Sequence, residues 1–217
     1  MNLKVLINGV DVSNKVLQDT LEIESIITSQ IDVCRMAVQG NDLEIHEMQE
    51  IIVTDENQER RLFAGLITTL EVDVVGLDRY YRLEAQDYTI LLEKALINKV
   101  YEGKTDREII QDAFATTLPE IITTAYMCGV IRHCIPCVQE SQVINRYVFN
   151  RATLRELMDI LAEASGFDWY VDYDKHLHYF AKETNMAPFS LSDDPDELTS
   201  FPYRLERYEK DASQIIN

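Results

Sequence analysis

The chain has 217 residues, 46% of them apolar and 27% charged, which is ordinary globular usage and excludes wholesale disorder. Its 38 acids outnumber its 20 bases for a formal charge of −18, and the excess is shared equally by residues 1–100 and 101–217, so it is not an acidic tail. So negative a surface repels phosphate, which argues against sequence-specific nucleic-acid binding and against attraction to anionic membranes. Met1-Asn2-Leu3-Lys4 leads into alternating residues, not into an apolar leader core. The uncharged stretch from Ile121 to Ile131 is too short to span a bilayer, so no membrane insertion is expected. A soluble protein made in the cytoplasm is the expectation.

From Met1 to about Tyr88 the pattern has period two. Leu3, Val5 and Ile7 alternate with Asn2, Lys4 and Leu6, and Asn8-Gly9 follows as a turn. Further strands are predicted around Leu21–Ser25, Ile31–Met36, Glu50–Thr54, Arg61–Leu70 and Tyr80–Gln86. Short strands at such spacing, separated by polar turns, predict an antiparallel sandwich or barrel. Within Leu62-Phe63-Ala64-Gly65-Leu66-Ile67, the glycine marks a bend or bulge.

After Asp87 the texture changes. Tyr88–Ala95 suits a short helix, and Thr105-x-x-Glu108 is a capping box opening a second helix that Pro119 ends. Thr153-x-x-Glu156 opens the clearest helix, with Leu154, Leu157, Met158, Leu161 and Ala162 on its buried side and Gly166 as its stop. Phe167–Asp172, the turn Tyr173-Asp174-Lys175 and His176–Phe180 then read as a hairpin. Beyond Pro188 lie an acidic loop, Ser192–Glu197, and a return to alternation over Phe201–Glu209. The fold class expected is α+β, predominantly β.

Signatures of chemistry are sparse. Cys128, His133, Cys134 and Cys137 could supply a Cys3His zinc set, although only Cys134 and Cys137 have zinc-like spacing and His133 abuts Cys134. Reduced thiols are the competing reading. Gly103-Lys104-Thr105 echoes a phosphate loop but lacks its upstream glycine, because position 98 is Asn. Helix capping is the better use of Thr105. His176 and His178 share one side of a strand near Asp174 and could ligate a metal, while Asp193, Asp194, Asp196 and Glu197 lack the spacing of a calcium loop. No nucleophile elbow, zinc-protease motif or Cys/His pattern is present, so neither an enzyme nor a bound cofactor is expected.

Several motifs in order complete the reading. They are Ile7-Asn8-Gly9-Val10-Asp11-Val12, Leu62–Ile67, Ala85-Gln86-Asp87-Tyr88-Thr89-Ile90-Leu91-Leu92, and Asn98–Thr105 entering a helix. Ala152-Thr153-Leu154 then leads to Ala164–Asp172, and Glu209–Asn217 ends the series. In this order the chain resembles the N-terminal part of phage tail baseplate hub proteins, a family that includes tail-associated and late-control proteins. The resemblance implies an antiparallel β-barrel from residues 1–92 plus 187–217, with a small α+β domain, 93–186, inserted. It implies a structural subunit of the virion tail: a trimer or hexamer ring that continues the tail tube and contacts tube, distal-tail and tip or spike proteins. Hubs of this kind carry a second, related barrel after a stretch matched here by Asp211, Ser213 and Asn217. Interface candidates are Phe63, Leu66 and Ile67 near the rim and Tyr80 and Tyr81 on the next strand, with core burial the competing use. The acidity would suit a channel wall past which DNA slides without binding. The alternative function is a zinc-binding interaction module built on Cys128, His133, Cys134 and Cys137.

Overall fold

The computed structural model describes residues 3–26, 29–57, 60–119, 121–124, 127–130, 133–136 and 138–182, with backbone alone for 127–130 and 133–136. The expected closing segment of the barrel, 187–217, lies outside the described residues. The first part is β throughout: β1 (Leu3–Ile7), β2 (Val10–Asp11), β3 (Val16–Glu24), β4 (Val33–Gln39), β5 (Glu50–Asp55), β6 (Arg60–Val75) and β7 (Asp78–Asp87). The second part is mixed: α1 (Ile90–Lys94), β8 (Leu96–Thr105), α2 (Asp106–Thr117), β9 (Met127–Val130), β10 (His133–Pro136), β11 (Val143–Thr153), α3 (Leu154–Ser165), β12 (Phe167–Val171) and β13 (Leu177–Ala181).

The first seven strands form one antiparallel sheet in the order β2-β1-β5-β6-β7-β4-β3. Alternation dictates which residues it buries. Val5, Ile7, Cys34, Met36, Val38, Ile51, Val53, Phe63, Ile67, Leu83 and Ala85 gather with Ile45 and Val12 inside its curl as one hydrophobic core. Fully burying each such aliphatic side chain contributes about 1.5–3 kcal/mol, so this inner face holds the sheet in register. No strand joins the ends β2 and β3 among the described residues, so the sheet is a curled half-barrel there.

β3 leaves the ladder midway. Leu17 faces Ala37 but Glu22 faces Arg35, so β3 has extra residues. Thr20 repairs the gap: its hydroxyl donates to the Leu17 carbonyl at 2.6 Å and accepts the Ala37 amide at 2.8 Å. The bulge predicted at Gly65 sits elsewhere. The β6–β7 register shifts between Ile67 and Thr69, and Gly65 serves a close approach of backbones instead.

A second core gathers Tyr88, Leu92, Ile97, Tyr101, Ile109, Phe114, Leu154, Leu157, Leu161, Trp169 and Tyr179 between the helices and the β8–β11 and β12–β13 ribbons. Both capping boxes form. Thr105 accepts the Glu108 amide at 3.2 Å and Thr153 that of Glu156 at 3.1 Å, with each glutamate taking its threonine's N–H in return. Gly166 ends α3 at φ 74°, a left-handed conformation that a β-carbon disfavours. Strand β11 was not among the predicted elements, and Asn98–Thr105 is part of strand β8 leading into α2.

Candidate functional site

The candidate functional surfaces described by the structure are an unpaired strand edge and exposed apolar residues of the large sheet. Of the five residues expected at an interface, Phe63, Ile67 and Tyr81 are buried in the sheet core. The Tyr81 hydroxyl donates to the Leu43 carbonyl at 2.8 Å. Leu66 and Tyr80 are half-buried, on the opposite side of the sheet from that core.

The exposed apolar residues lie further along the same hairpin. β5 ends its pairing with β6 at Leu66, and the neighbouring backbone of Met48 and Gln49 reaches only to Ile67. From Thr68 to Val75, β6 is therefore paired on the β7 side only among the described residues. Val72 and Val74 continue the inner face of the sheet but are 50% and 65% exposed, and Leu77 at the turn is 91% exposed. An unpaired edge beside exposed valines is a surface that another chain can cover.

The cysteine cluster falls on the β9–β10 hairpin, where Cys128 is opposite Ile135 and Cys134 opposite Gly129 in register. The side chains of Cys128, His133, Cys134 and Cys137 lie outside the described residues. Among the described residues no group of three or more His, Cys, Asp or Glu is arranged to hold a metal ion. His176 and His178 meet at one carboxylate: Asp172 Oδ2 is 3.1 Å from His176 Nδ1 and 2.9 Å from His178 Nε2. Burial alone would raise the Asp172 pKa. The His178 bond, the His176 amide and the charge of both imidazoles outweigh it and hold the carboxyl at about 2. Lys104 pairs with Glu108 at 3.2 Å and Thr105 caps α2, so Gly103-Lys104-Thr105 serves a helix start.

The β12–β13 turn is tied to the large sheet. Lys175 reaches Glu50 at 2.7 Å, Arg61 donates to the Tyr173 carbonyl at 2.7 Å, and the Tyr173 hydroxyl donates to Asp32 at 2.7 Å. Asp32 in turn donates its amide to the Asp87 carboxylate and accepts the Asp87 amide on its carbonyl. Burial pushes Asp87 up to about 6, against the bonds from the Asp32 and Thr89 amides and with the repulsion of the Asp32 carboxylate. A carboxyl raised above its unfolded value binds its proton more tightly in the fold. Its contribution to stability is complete below pH about 4 and is lost as pH rises through about 6, an effect of roughly 3 kcal/mol for two units. Denaturation from pH 4 to 7 should show this contribution falling in the native protein, most steeply between 4 and 6, and Asp87→Asn should flatten that slope. An unchanged slope in the variant would assign it to another group.

No protein-family model matches the chain, and no curated protein sequence does. Solved structures do match. The prophage MuSo2 43 kDa tail protein from Shewanella oneidensis superposes with a TM-score of 0.66 at 16% identity, covering 88% of this chain and 58% of that one. Prophage tail protein gp18 from Listeria monocytogenes EGD-e gives 0.61 at 11% identity, covering 86% and 52%. The tail protein from Neisseria meningitidis MC58 gives 0.59 at 14%, covering 82% and 49%. The chain thus spans about half to three-fifths of the length of these proteins. Over most of its length, the chain has the fold of phage and prophage tail proteins.

Proposed function

We propose that the chain is a structural subunit of the tail tip or baseplate hub of a phage or phage-like particle. It is made in the host cytoplasm and built into the virion tail, where copies form a ring that continues the tail tube towards the tip. The observation that carries this reading is the fold shared with three tail proteins across more than four-fifths of the chain. The curled sheet with terminal strands β2 and β3 suits a ring segment, because unfinished edges and exposed inner-face valines such as Val72 and Val74 are completed by neighbours. The reading divides the chain into a ring-forming barrel, 1–92 plus 187–217, and an inserted α+β domain, 93–186; the sheet core draws its buried residues from Val5 to Ala85, while Tyr88 and Leu92 pack in the second core. Its partners are further copies of itself and tube, distal-tail and tip proteins, and its role is mechanical and not catalytic. Native mass spectrometry of the purified protein tests this directly. A trimer or hexamer is expected, and a protein that stays monomeric over the accessible concentration range overturns the ring.

A further inference from the structure

The β8–β11 ribbon has one side without a partner among the described residues. Ile97, Tyr101 and Phe149 turn to the second core, and among the described residues each strand pairs only with the other. On the opposite side Val100 and Val148 face each other across the ladder, 48% and 57% exposed, with Leu96 at 58%. Around this apolar pair the charge is not acidic. In register with that pair, on its side of the ribbon, are Lys104 and Arg146 against Glu102 alone, with Arg151 at the bulge of β11, while Lys99, opposite Phe149, turns with Tyr101 to Asp112 of α2. Arg146 pairs with Glu102 at 3.1 Å, Lys104 with Glu108 and Lys99 with Asp112, while Arg151 has no ion pair among the described residues. In a chain of net charge −18, an apolar strip without acid excess is a departure from the rest of the surface.

The outer face of the large sheet is its complement. Glu22 and Glu24 on β3, Glu71 and Asp73 on β6, and Asp78 and Glu84 on β7 point away from the core, with Arg35 and Arg82 the cations among them. Arg35 is shared by Glu84 at 2.9 Å, Glu24 at 3.7 Å and Glu22 at 4.0 Å, and Arg82 is held by Asp73 at 3.1 Å. Between them, beside the bulge of β3, lies a groove of about 340 Å³ whose lining includes Thr20, Arg35, Thr69, Glu71, Arg82 and Glu84, so its own charges balance and the surplus carboxylates are around it.

From this complementarity we infer that the ribbon of one copy seats on the acidic sheet face of the next. This rests on the ring reading and assigns one of its contacts. The Val100–Val148 pair enters the groove, and Lys104, Arg146 and Arg151 of the ribbon meet the surplus carboxylates around it. Ribbon on ribbon gains no attraction of this kind, and face on face sets like charges together, so the contact is head to tail. A head-to-tail contact makes a ring when its rotation closes.

Two classes of variant test it. Val100→Glu with Val148→Glu, or Arg146→Glu with the apolar pair left in place, spoils the ribbon. Glu22→Lys with Glu71→Lys spoils the face. All are exposed positions, and folding is checked by circular dichroism. Each variant alone should lose self-association by at least about tenfold. Mixing a ribbon variant with the face variant should restore one junction and give a 1:1 heterodimer in native mass spectrometry, since each retains the half that the other lacks. An intact ring in either variant, or no 1:1 species in the mixture, overturns the ribbon-on-sheet contact and leaves the ring standing. A monomeric native protein overturns the ring itself.

Discussion

Gly65→Ala is expected to destabilise the protein by about 3 kcal/mol or more, or to prevent folding. A β-carbon at Gly65 would lie 2.1 Å from the Gln86 carbonyl oxygen, 2.7 Å from its carbon and 2.8 Å from the Asp87 Cα. All three atoms are backbone, and no rotamer change relieves the clash. Gly65 faces Asp87 of β7 on one side and Ile51 of β5 on the other, in the middle of the sheet. β7 cannot retreat either, because β4 pairs along its far side from Val33 to Gln39. Overpacking a core costs about 1–3 kcal/mol when side chains can move aside. Here two ladders must shift, so the upper end is the starting point. Chemical denaturation measures it, and a loss under about 1 kcal/mol would mean that β6 and β7 are far more pliable than their pairing implies.

The same glycine shows what was legible in the sequence and what was not. Its presence inside Leu62–Ile67 signalled a local irregularity, but a glycine that permits a bulge and one that permits a close approach look alike in sequence. The capping boxes at Thr105 and Thr153 were legible because their chemistry is local, completed within four residues. The helix that Thr153 opens combines that cap with an apolar stripe and a terminal glycine, and all three signals agree. β8 and β11 were harder. In Leu96–Thr105 only Ile97 and Tyr101 are buried, four apart, and the exposed Leu96 and Val100 are apolar, so the strand shows no alternation. The β-branched and aromatic run Val143–Phe149 could have revealed β11. The far end of β6 was hidden for a related reason: Val72 and Val74 look like core residues and are exposed.

The candidate surfaces were legible only in outline. Hydrophobic residues near a strand rim suggested an interface at Phe63 and Ile67, but apolar character cannot separate a residue that packs inward from one that awaits a neighbour. Phe63 packs against Tyr173, with ring centroids 5.7 Å apart, a contact across 110 residues that no local pattern encodes. Charge was misleading in a similar way. The acid excess is equal in both halves of the sequence, yet strand pairing sorts it by face. Glu22, Glu84, Glu71 and Asp73 come from three strands and gather on one side of the sheet. The weakly basic ribbon emerges only when β8 and β11 are laid side by side.

Asp106→Ala should be nearly as damaging as the glycine substitution, by about 3 kcal/mol, and for an opposite physical reason. Asp106 is the first residue of α2 and is 0% exposed. A buried carboxylate costs desolvation that only directed donors offset. The Arg107 amide donates to it at 2.8 Å, the Ser141 amide at 3.0 Å, and the Ser141 and Tyr179 hydroxyls also point at it, the latter at 3.1 Å. Its charge also lies at the positive end of the α2 macrodipole. The same Tyr179 hydroxyl lies 2.7 Å from Ser165 Oγ and 3.2 Å from the Leu161 carbonyl, at the end of α3. One carboxylate therefore joins the start of α2, the segment before β11, strand β13 and the last turn of α3. Alanine would take an acceptor from the fully buried Tyr179 hydroxyl and leave a void where a fully buried side chain sat, together about 1–3 kcal/mol, while exposed Ser141 can turn to water. Asparagine keeps one acceptor oxygen and should lose less, about 1 kcal/mol. Combining Asp106→Ala with Ser141→Ala should cost less than the two losses added together, because both remove parts of one network. Additive losses, or an Asp106→Ala variant within about 1 kcal/mol of the native protein, would show that water replaces the carboxylate and that the second core is held by its apolar residues alone.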